Sequence, residues 1–419
     1  MRYGCIGEHL KHSFSREVHG LIADYSYELL ELEPCEVESF LSARDFLAIN
    51  VTIPYKETVI PHLSYIDEHA RAIGAVNTIV NRDGKLYGYN TDFFGMTALI
   101  KRLGISLEGK KVLILGTGGT SKTAYAVAKD MGAKYIVKAS RSASDGAVSY
   151  TDVYNLHADS EIIINTTPVG MYPNISGKPI ELSKFGKLSG VIDAVYNPLS
   201  TPLVLEAREL GIPAACGLYM LVAQGIRASE IFLGTKYPDS LYDEIFKKIE
   251  RDKRNIVLIG MPSSGKSTVG KILAEKLSRK LTDTDALIEE REKRTIEDIF
   301  KECGEVKFRE LEARAVLDAS AENSSVIATG GGAVLRYGNI SALRENGRIY
   351  FIDRSLSHLM PTSDRPLSST ADDLKKRYNE RYEIYKAAAD VTVNGDATPE
   401  MVADAILADF FGKDGRVDK

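Results

Sequence analysis

RNIVLIGMPSSGKST, residues 254–268, decides the fold of the second half of this chain. Ile256-Val257-Leu258-Ile259 is a short apolar run of the kind that forms a buried strand, and it feeds straight into Gly260-x-x-x-x-Gly265-Lys266-Ser267. Backbone N–H groups can close around phosphate oxygens only where no side chain intervenes, so glycine is required at the points of close approach. In such a loop Lys266 reaches the β- and γ-phosphates and the Ser267 hydroxyl sits on Mg²⁺. Ser263, Ser264 and Thr268 complete the same turn. Downstream, Val269, Ile272, Leu273 and Leu277 fall on one helical face, so a helix N-terminus is expected to meet the phosphates. The bland alternative is a chance match in a turn; a strand before it and a helix after it count against that.

What precedes the loop is long enough to be a protein of its own, so the loop opens a second enzyme. At 419 residues the chain has room for about three domains, and 44% hydrophobic with 26% charged residues is ordinary globular composition. A formal charge of −5 with acids and bases interspersed argues against a nucleic-acid or anionic-membrane surface and favours small-molecule chemistry. Cys5, Cys35, Cys216 and Cys303 are scattered with no CxxC pair, which gives no support to a disulfide framework or zinc site and fits a reducing cytoplasm. His9 and His12 lack a carboxylate or third ligand at metal-binding spacing and read as a solvated loop, so no protein-ligated metal is expected. No apolar stretch has the length of a leader or a membrane span, and a cytoplasmic location is expected.

In the first half, Tyr3–Gly7 and Phe46–Ile53 read as strands with a polar loop, 8–15, after the first. Ser13 and Ser15, two apart, can both donate to one carboxylate, or can cap a helix; the spacing leaves both open. Lys56 stands just past a strand, and Ala75-Val76-Asn77-Thr78 and Tyr89-Asn90-Thr91-Asp92 put polar groups at the ends of apolar runs. Singly, each is equally a solvated turn residue. The run Lys110–Leu115 then enters Gly116-Thr117-Gly118-Gly119-Thr120-Ser121-Lys122, a dinucleotide turn. Gly116 makes the tight turn, Gly118 lets pyrophosphate approach the backbone, and Ser121 is small where the fingerprint has its third glycine. The second strand, 134–142, ends in Ser140, Arg141 and Ser142 rather than an acid, which suits a ribose 2′-phosphate and so NADP(H). Further strands at 161–165 and 190–195 alternate with helical stretches, as a doubly wound sheet requires.

HSFS (12–15), NVTIPYKE (50–57), AVNT (75–78), YNTD (89–92), GTGGTSK (116–122), SRS (140–142), INTTPVGM (164–171), DAVYNPLSTPL (193–203) and GLYMLVAQG (217–225), in this order, resemble shikimate dehydrogenase. The resemblance implies reduction of 3-dehydroshikimate by NADPH, with Lys56 and Asp92 as the catalytic pair. It implies Ser13 and Ser15 on the substrate carboxylate, and Thr52, Asn77, Tyr196 and Gln224 on its hydroxyls. Gly116, Gly118, Gly119, Thr120, Ser121, Ser140, Arg141, Ser142 and Gly217 fall to the cofactor. The chain departs from some members by carrying Asp145 about where they have a second arginine, which weakens the expected 2′-phosphate clamp and leaves room for NAD.

A charged helix from about 240 to 254, with Leu241, Ile245 and Ile249 four apart, closes the first enzyme and runs on as a linker without a Pro/Gly/Ser-rich tether. Beyond the phosphate loop, Asp283 and Asp285 are spaced i and i+2 at a strand end and are expected on one side, as partners for Mg²⁺ water and a hydroxyl nucleophile or as a solvated turn. Arg309 lies on an amphipathic helix, the strand at 326–329 breaks into Gly330-Gly331-Gly332, and Arg365 and Arg381 follow. Surface ion pairs are the bland account of each arginine.

Together GMPSSGKST (260–268), DTD (283–285), FRELE (308–312), TGGG (329–332), DRPL (364–367) and NERY (379–382) resemble shikimate kinase. This implies phosphoryl transfer from ATP to the shikimate 3-hydroxyl, with Asp285 orienting that hydroxyl and Asp283 and Ser267 serving Mg²⁺, Asp283 through water. Arg309 and Arg381 would hold the carboxylate, Gly330, Gly331 and Gly332 line the pocket, and Arg365 belong to a lid. That segment, 359–365, is short and poor in basic residues beside many relatives. The expected architecture is α/β throughout: a substrate domain at 1–95 completed by helices at 216–250, a Rossmann NADP domain at 96–215, and a P-loop kinase domain of the nucleoside-monophosphate-kinase type, with a parallel sheet, at 251–419. Two rivals stay open: quinate as the first substrate, and loss of catalysis in one half to leave a binding module.

Overall fold

The computed structural model describes residues 2–11, 13–141, 143, 146–359 and 371–412. It divides into two compact units, Met1–Glu250 and Arg251–Lys419. Arg365, Ser142, Asp145 and His12, singled out above, lie outside the described residues.

The first unit holds two sheets. One is built from β1 (Tyr3–Gly7), β2 (Tyr27–Glu31), β3 (Ala48–Val51), β4 (Tyr65–Ile66), β5 (Thr78–Arg82) and β6 (Lys85–Tyr89), in the order β2-β1-β3-β5-β6-β4. It is mixed: β1 runs parallel to β2 and β3, whereas β5 is antiparallel to both β3 and β6. The second strand expected at 46–53 shrinks to Ala48–Val51, the four residues that are wholly buried, because the chain turns before Pro54. β2, YELLE, had no counterpart in the sequence reading; at the sheet edge only Tyr27 is buried.

The other sheet comprises β7 (Lys111–Leu115), β8 (Tyr135–Ala139), β9 (Ile162–Asn165), β10 (Gly190–Asp193) and β11 (Ala214–Ala215), all parallel, in the order β11-β10-β9-β7-β8. Its central strands are apolar on both faces, and each face meets its own core, Ile114 and Ile164 on one side and Leu115 and Ile163 on the other. The strand order reverses between β7 and β9, so a crevice opens at their carboxyl ends, where the turn at 116–119 lies. The helix Leu218–Leu233 returns to pack on Thr91–Leu103 and Ser15–Ile22, so residues late in sequence meet residues from the first hundred. Ile245 and Ile249 of the helix Ser240–Lys253 join the same core as Phe14, Val18 and Val222.

The second unit is a five-stranded parallel sheet of β12 (Asn255–Ile259), β13 (Leu281–Asp283), β14 (Val326–Ala328), β15 (Gly347–Asp353) and β16 (Val391–Asn394), ordered β13-β14-β12-β15-β16. β12 is central and fully buried, with Val257 and Ile259 in one core and Ile256 and Leu258 in the other. The helix Lys266–Leu277 follows the phosphate loop at once. Residues 296–321 form two helices broken at Gly304, whose φ of 76° no ordinary helical residue adopts. Among the described residues no helix is long and apolar enough to cross a membrane.

Candidate active sites

In the first unit, the Lys56 ammonium lies 2.5 Å from an Asp92 carboxylate oxygen, and both side chains are nearly shielded from water. Asp92 sits in the first turn of the helix Thr91–Leu103, where the helix dipole favours a carboxylate, and Asn90 caps that helix by accepting from the Phe93 N–H. Asn77 is buried beside them: its Oδ1 accepts from the Thr91 N–H at 2.7 Å and its Nδ2 donates to the Thr91 hydroxyl at 3.0 Å. Gln224 arrives from the helix Leu218–Leu233, its carbonyl oxygen 3.4 Å from the Thr91 hydroxyl and 3.5 Å from Asn77 Nδ2. Asn50 steadies this group, donating to the Asn77 carbonyl and the Thr78 hydroxyl while accepting from Tyr27 at 2.7 Å.

Ser13 and Ser15 stand with hydroxyls 3.1 Å apart. Ser15 opens its helix and its backbone N–H donates to the Ser13 hydroxyl at 3.2 Å, so Ser13 serves the helix start as well as standing beside the Ser15 hydroxyl. Tyr196 faces Ser13 and packs on Phe14 at 5.3 Å; burial pushes its phenol up to about 12, against the hydrogen bond from Ser13. Its loop is tied down behind by Asp193, which accepts from Asn165, Val195 and Thr201. Thr52 follows β3 and lies against Gly7.

The dinucleotide turn converges on this pocket. A Cβ on Gly119 would stand 3.7 Å from the Lys56 side chain, and Lys122 bridges to Glu57 at 2.7 Å. Gly116 has φ 110° and presses on Thr166, whose hydroxyl would be 2.6 Å from a Cβ, while nothing crowds Gly118. Ser121 donates to the Gly116 carbonyl at 2.7 Å, closing the turn, and Thr120 lies beside it. Gly217 caps the helix Leu218–Leu233 against the Ala194 carbonyl, which leaves no room for a Cβ. At the end of β8, the buried Ser140 hydroxyl has no hydrogen-bond partner among the described residues, and Arg141 next to it is exposed. An orphaned donor beside an exposed guanidinium fits a ribose 2′-phosphate.

In the second unit the loop 260–265 is held open by Gly260 (φ 153°) and Gly265 (φ 92°), and Ser263 also takes positive φ. Lys266 is buried and donates to the Gly260 and Met261 carbonyls at 2.8 and 2.9 Å. The Ser264 hydroxyl is buried with no partner among the described residues, as a loop shaped for anion oxygens would leave it. Thr268 follows in the helix, and the Ser267 hydroxyl donates to Asp283 at 2.7 Å, an oxygen pair that suits hydrated Mg²⁺. Among the described residues no three His, Cys, Asp or Glu gather to hold a metal.

The two aspartates do not both lie in the strand. Asp283 ends β13 and caps the helix Thr284–Glu292, accepting from the Asp285 and Ala286 N–H groups, so Asp285 lies in a helical turn instead of an extended strand. Its carboxylate turns to Gly330, where a Cβ would strike it. A Cβ on Gly332 would likewise strike the Arg309 guanidinium. The bare backbone of this loop therefore lets Asp285 and Arg309 close on one pocket. Arg381 Nη1 and the Tyr385 hydroxyl both donate to the Gly331 carbonyl, at 3.0 and 2.5 Å. Arg309 is aimed by Glu312, 2.8 Å from Nη1, and by Glu305, 3.0 Å from Nη2. Burial raises the Glu312 carboxyl above its usual range, with Arg309 opposing.

A family model described as the shikimate dehydrogenase substrate binding domain matches residues 5–79, and one described as shikimate kinase matches residues 262–410. A shikimate dehydrogenase (NADP(+)) of Clostridium perfringens is 37% identical over 266 residues, 59% of this chain and 98% of its own. The chain belongs to the shikimate dehydrogenase family. Another family member, from Geobacillus kaustophilus, is 39% identical over 259 residues, covering 57% of this chain and 94% of its own. Among solved structures, shikimate dehydrogenase 1 of Peptoclostridium difficile aligns at TM-score 0.56 and 35% identity, over 59% of this chain and 98% of that one. The Thermus thermophilus enzyme in complex with NADP(H) and shikimate aligns at 0.54 and 27%, over 59% and 99%. These relatives cover the dehydrogenase part; the shikimate kinase match lies wholly in the second unit.

Thr91, Asn50, Glu312 and Tyr385 belong to these sites but were not singled out in the sequence. Thr91 stood inside YNTD and Glu312 inside FRELE, three residues after Arg309, so a helical i,i+3 pairing was the available signal.

Proposed function

We propose that the first unit reduces 3-dehydroshikimate to shikimate with NADPH and the second phosphorylates the shikimate 3-hydroxyl with MgATP, consecutive steps toward chorismate and the aromatic amino acids, in the cytoplasm. The observation that carries this is the shielded Lys56–Asp92 pair, set between the polar Asn77–Thr91–Gln224 cluster and the glycine turn. When bound, the reduced nicotinamide supplies the hydride and MgATP the phosphoryl group. Lys56 donates a proton from Nζ to the alkoxide oxygen as the ketone is reduced, and Asp92 keeps that nitrogen charged and aimed. Ser13 and Ser15 hold the substrate carboxylate; Thr52, Asn77, Tyr196 and Gln224 take its hydroxyls.

In the second unit Asp285 orients the 3-hydroxyl and accepts its proton. Arg309 and Arg381 grip the carboxylate against Gly330–Gly332, and Lys266 and the loop amides hold the phosphates. Ser267 and Asp283 hold Mg²⁺, Asp283 through water. Arg365 retains the lid role that its place in DRPL implies.

Incubating the protein with 3-dehydroshikimate, NADPH and MgATP and following products by mass tests both activities. Shikimate 3-phosphate is expected. With Lys56→Ala, supplied shikimate should still be phosphorylated while 3-dehydroshikimate persists. Failure to consume 3-dehydroshikimate, or to phosphorylate supplied shikimate, overturns the corresponding half. Parallel oxidation assays on quinate and shikimate set the two first substrates apart.

A further inference from the structure

We propose that Arg354 is a phosphate-binding residue of the second unit, reaching the nucleotide polyphosphate beside the Gly265 end of the phosphate loop; this rests on the kinase reading above. Arg354 leaves the end of β15, which pairs with β12 so that Phe351 faces Ile259, the residue before Gly260. The two strand ends therefore deliver the phosphate loop and Arg354 to the same edge. The contact is close: a Cβ on Gly260 would lie 2.9 Å from the Ile352 carbonyl oxygen, and one on Gly265 would lie 3.8 Å from Arg354 Nη1. Gly265 is the residue that caps the helix Lys266–Leu277, where bound phosphate is expected to meet backbone N–H groups.

A partly buried arginine with a structural role should face a carboxylate and spend its shielded donor on the protein. Arg354 Nε is buried without a hydrogen-bond partner among the described residues. The nearby acids are committed elsewhere: Asp353 accepts from the Tyr382 hydroxyl at 3.0 Å, and Asp396 from the Ser355 N–H and His358 at 3.0 and 2.9 Å. A planar guanidinium set against a loop made for anions is suited to two oxygens of a polyphosphate at once, which a lysine cannot match.

The test uses the full chain with Arg354→Met and Arg354→Lys, each checked by thermal unfolding. MgADP binding is measured by calorimetry, independent of turnover, and adenosine is tested as a competitive inhibitor against MgATP. Arg354→Met should weaken MgADP roughly ten- to hundredfold, with Arg354→Lys recovering part of the loss. Adenosine inhibition, the KM for shikimate and the dehydrogenase rate should stay unchanged. MgADP affinity within twofold of the parent, or an equal loss for adenosine, overturns the assignment. Absence of shikimate phosphorylation by the parent chain would instead overturn the kinase reading, which the binding data do not depend on.

Discussion

The Lys56 ammonium and the Asp92 carboxylate form a 2.5 Å ion pair in which neither partner is appreciably wet. Removing either leaves the other as a shielded, uncompensated charge, so the pair should behave as a unit. Lys56→Ala and Asp92→Asn should each lower dehydrogenase kcat by about 10²- to 10⁴-fold, and the double variant should lose little more than the worse single. Thermal unfolding of the same samples reports whether the first unit is still folded. Independent, multiplicative losses would show that the two residues do not act together.

Cofactor choice should follow Arg141. A guanidinium beside the orphaned Ser140 hydroxyl is useful only if the ribose carries a phosphate. Arg141→Ala should raise the KM for NADPH by about tenfold, the worth of one charge-assisted hydrogen bond, and leave the KM for NADH nearly as it was. The ratio of the two kcat/KM values is the measurement, and an unchanged ratio would sink the assignment of Arg141.

Glu312 should govern shikimate binding by the second unit without touching that ligand in the first. It sits 2.8 Å from Arg309 Nη1 and is almost wholly buried, so it fixes where the guanidinium points. Glu312→Gln keeps the shape and weakens the grip; the KM for shikimate in the kinase assay should rise roughly tenfold with a smaller change in kcat. The KM for shikimate in dehydrogenase oxidation is the internal control. A fall in kcat alone would mean Glu312 acts on the reacting atoms.

How far these sites could be read from sequence differs by feature. β7, β9, β10 and β12 are buried on both faces and announce themselves as apolar runs, and glycine turns follow β7 and β12 directly. β2 was invisible because an edge strand half open to water carries no clean pattern in YELLE. The aspartates 283 and 285 were read with a strand's period of two, but the chain becomes a helix between them, with Asp283 as its cap. Glu312 was not singled out, although its i,i+3 spacing from Arg309 pointed to a pair; the tertiary fold shows that helix face pressed against the glycine loop. The Asn77–Thr91–Gln224 contacts join residues 14 to 147 positions apart, and single-sequence spacing has no access to them.

The last prediction concerns stability. Glu345, in the helix Tyr337–Asn346, is buried, and its Oε2 has no hydrogen-bond partner among the described residues. Burial alone pushes its carboxyl from the ordinary value up to about 9. The unfolded chain releases that proton near pH 4.5, while the folded chain keeps it, so the native state binds more protons between those values. Stability then falls as pH rises from about 4.5 to about 9 and levels off beyond. Glu345→Gln, which cannot ionise, should remove this slope: at pH 8.5 it should be more stable than the parent, and at pH 4.5 about equal or slightly less stable. Urea unfolding of the second unit at both pH values, read by tyrosine fluorescence, checks it. A stability difference that does not change with pH would mean the Glu345 carboxyl titrates alike in the folded and unfolded chains.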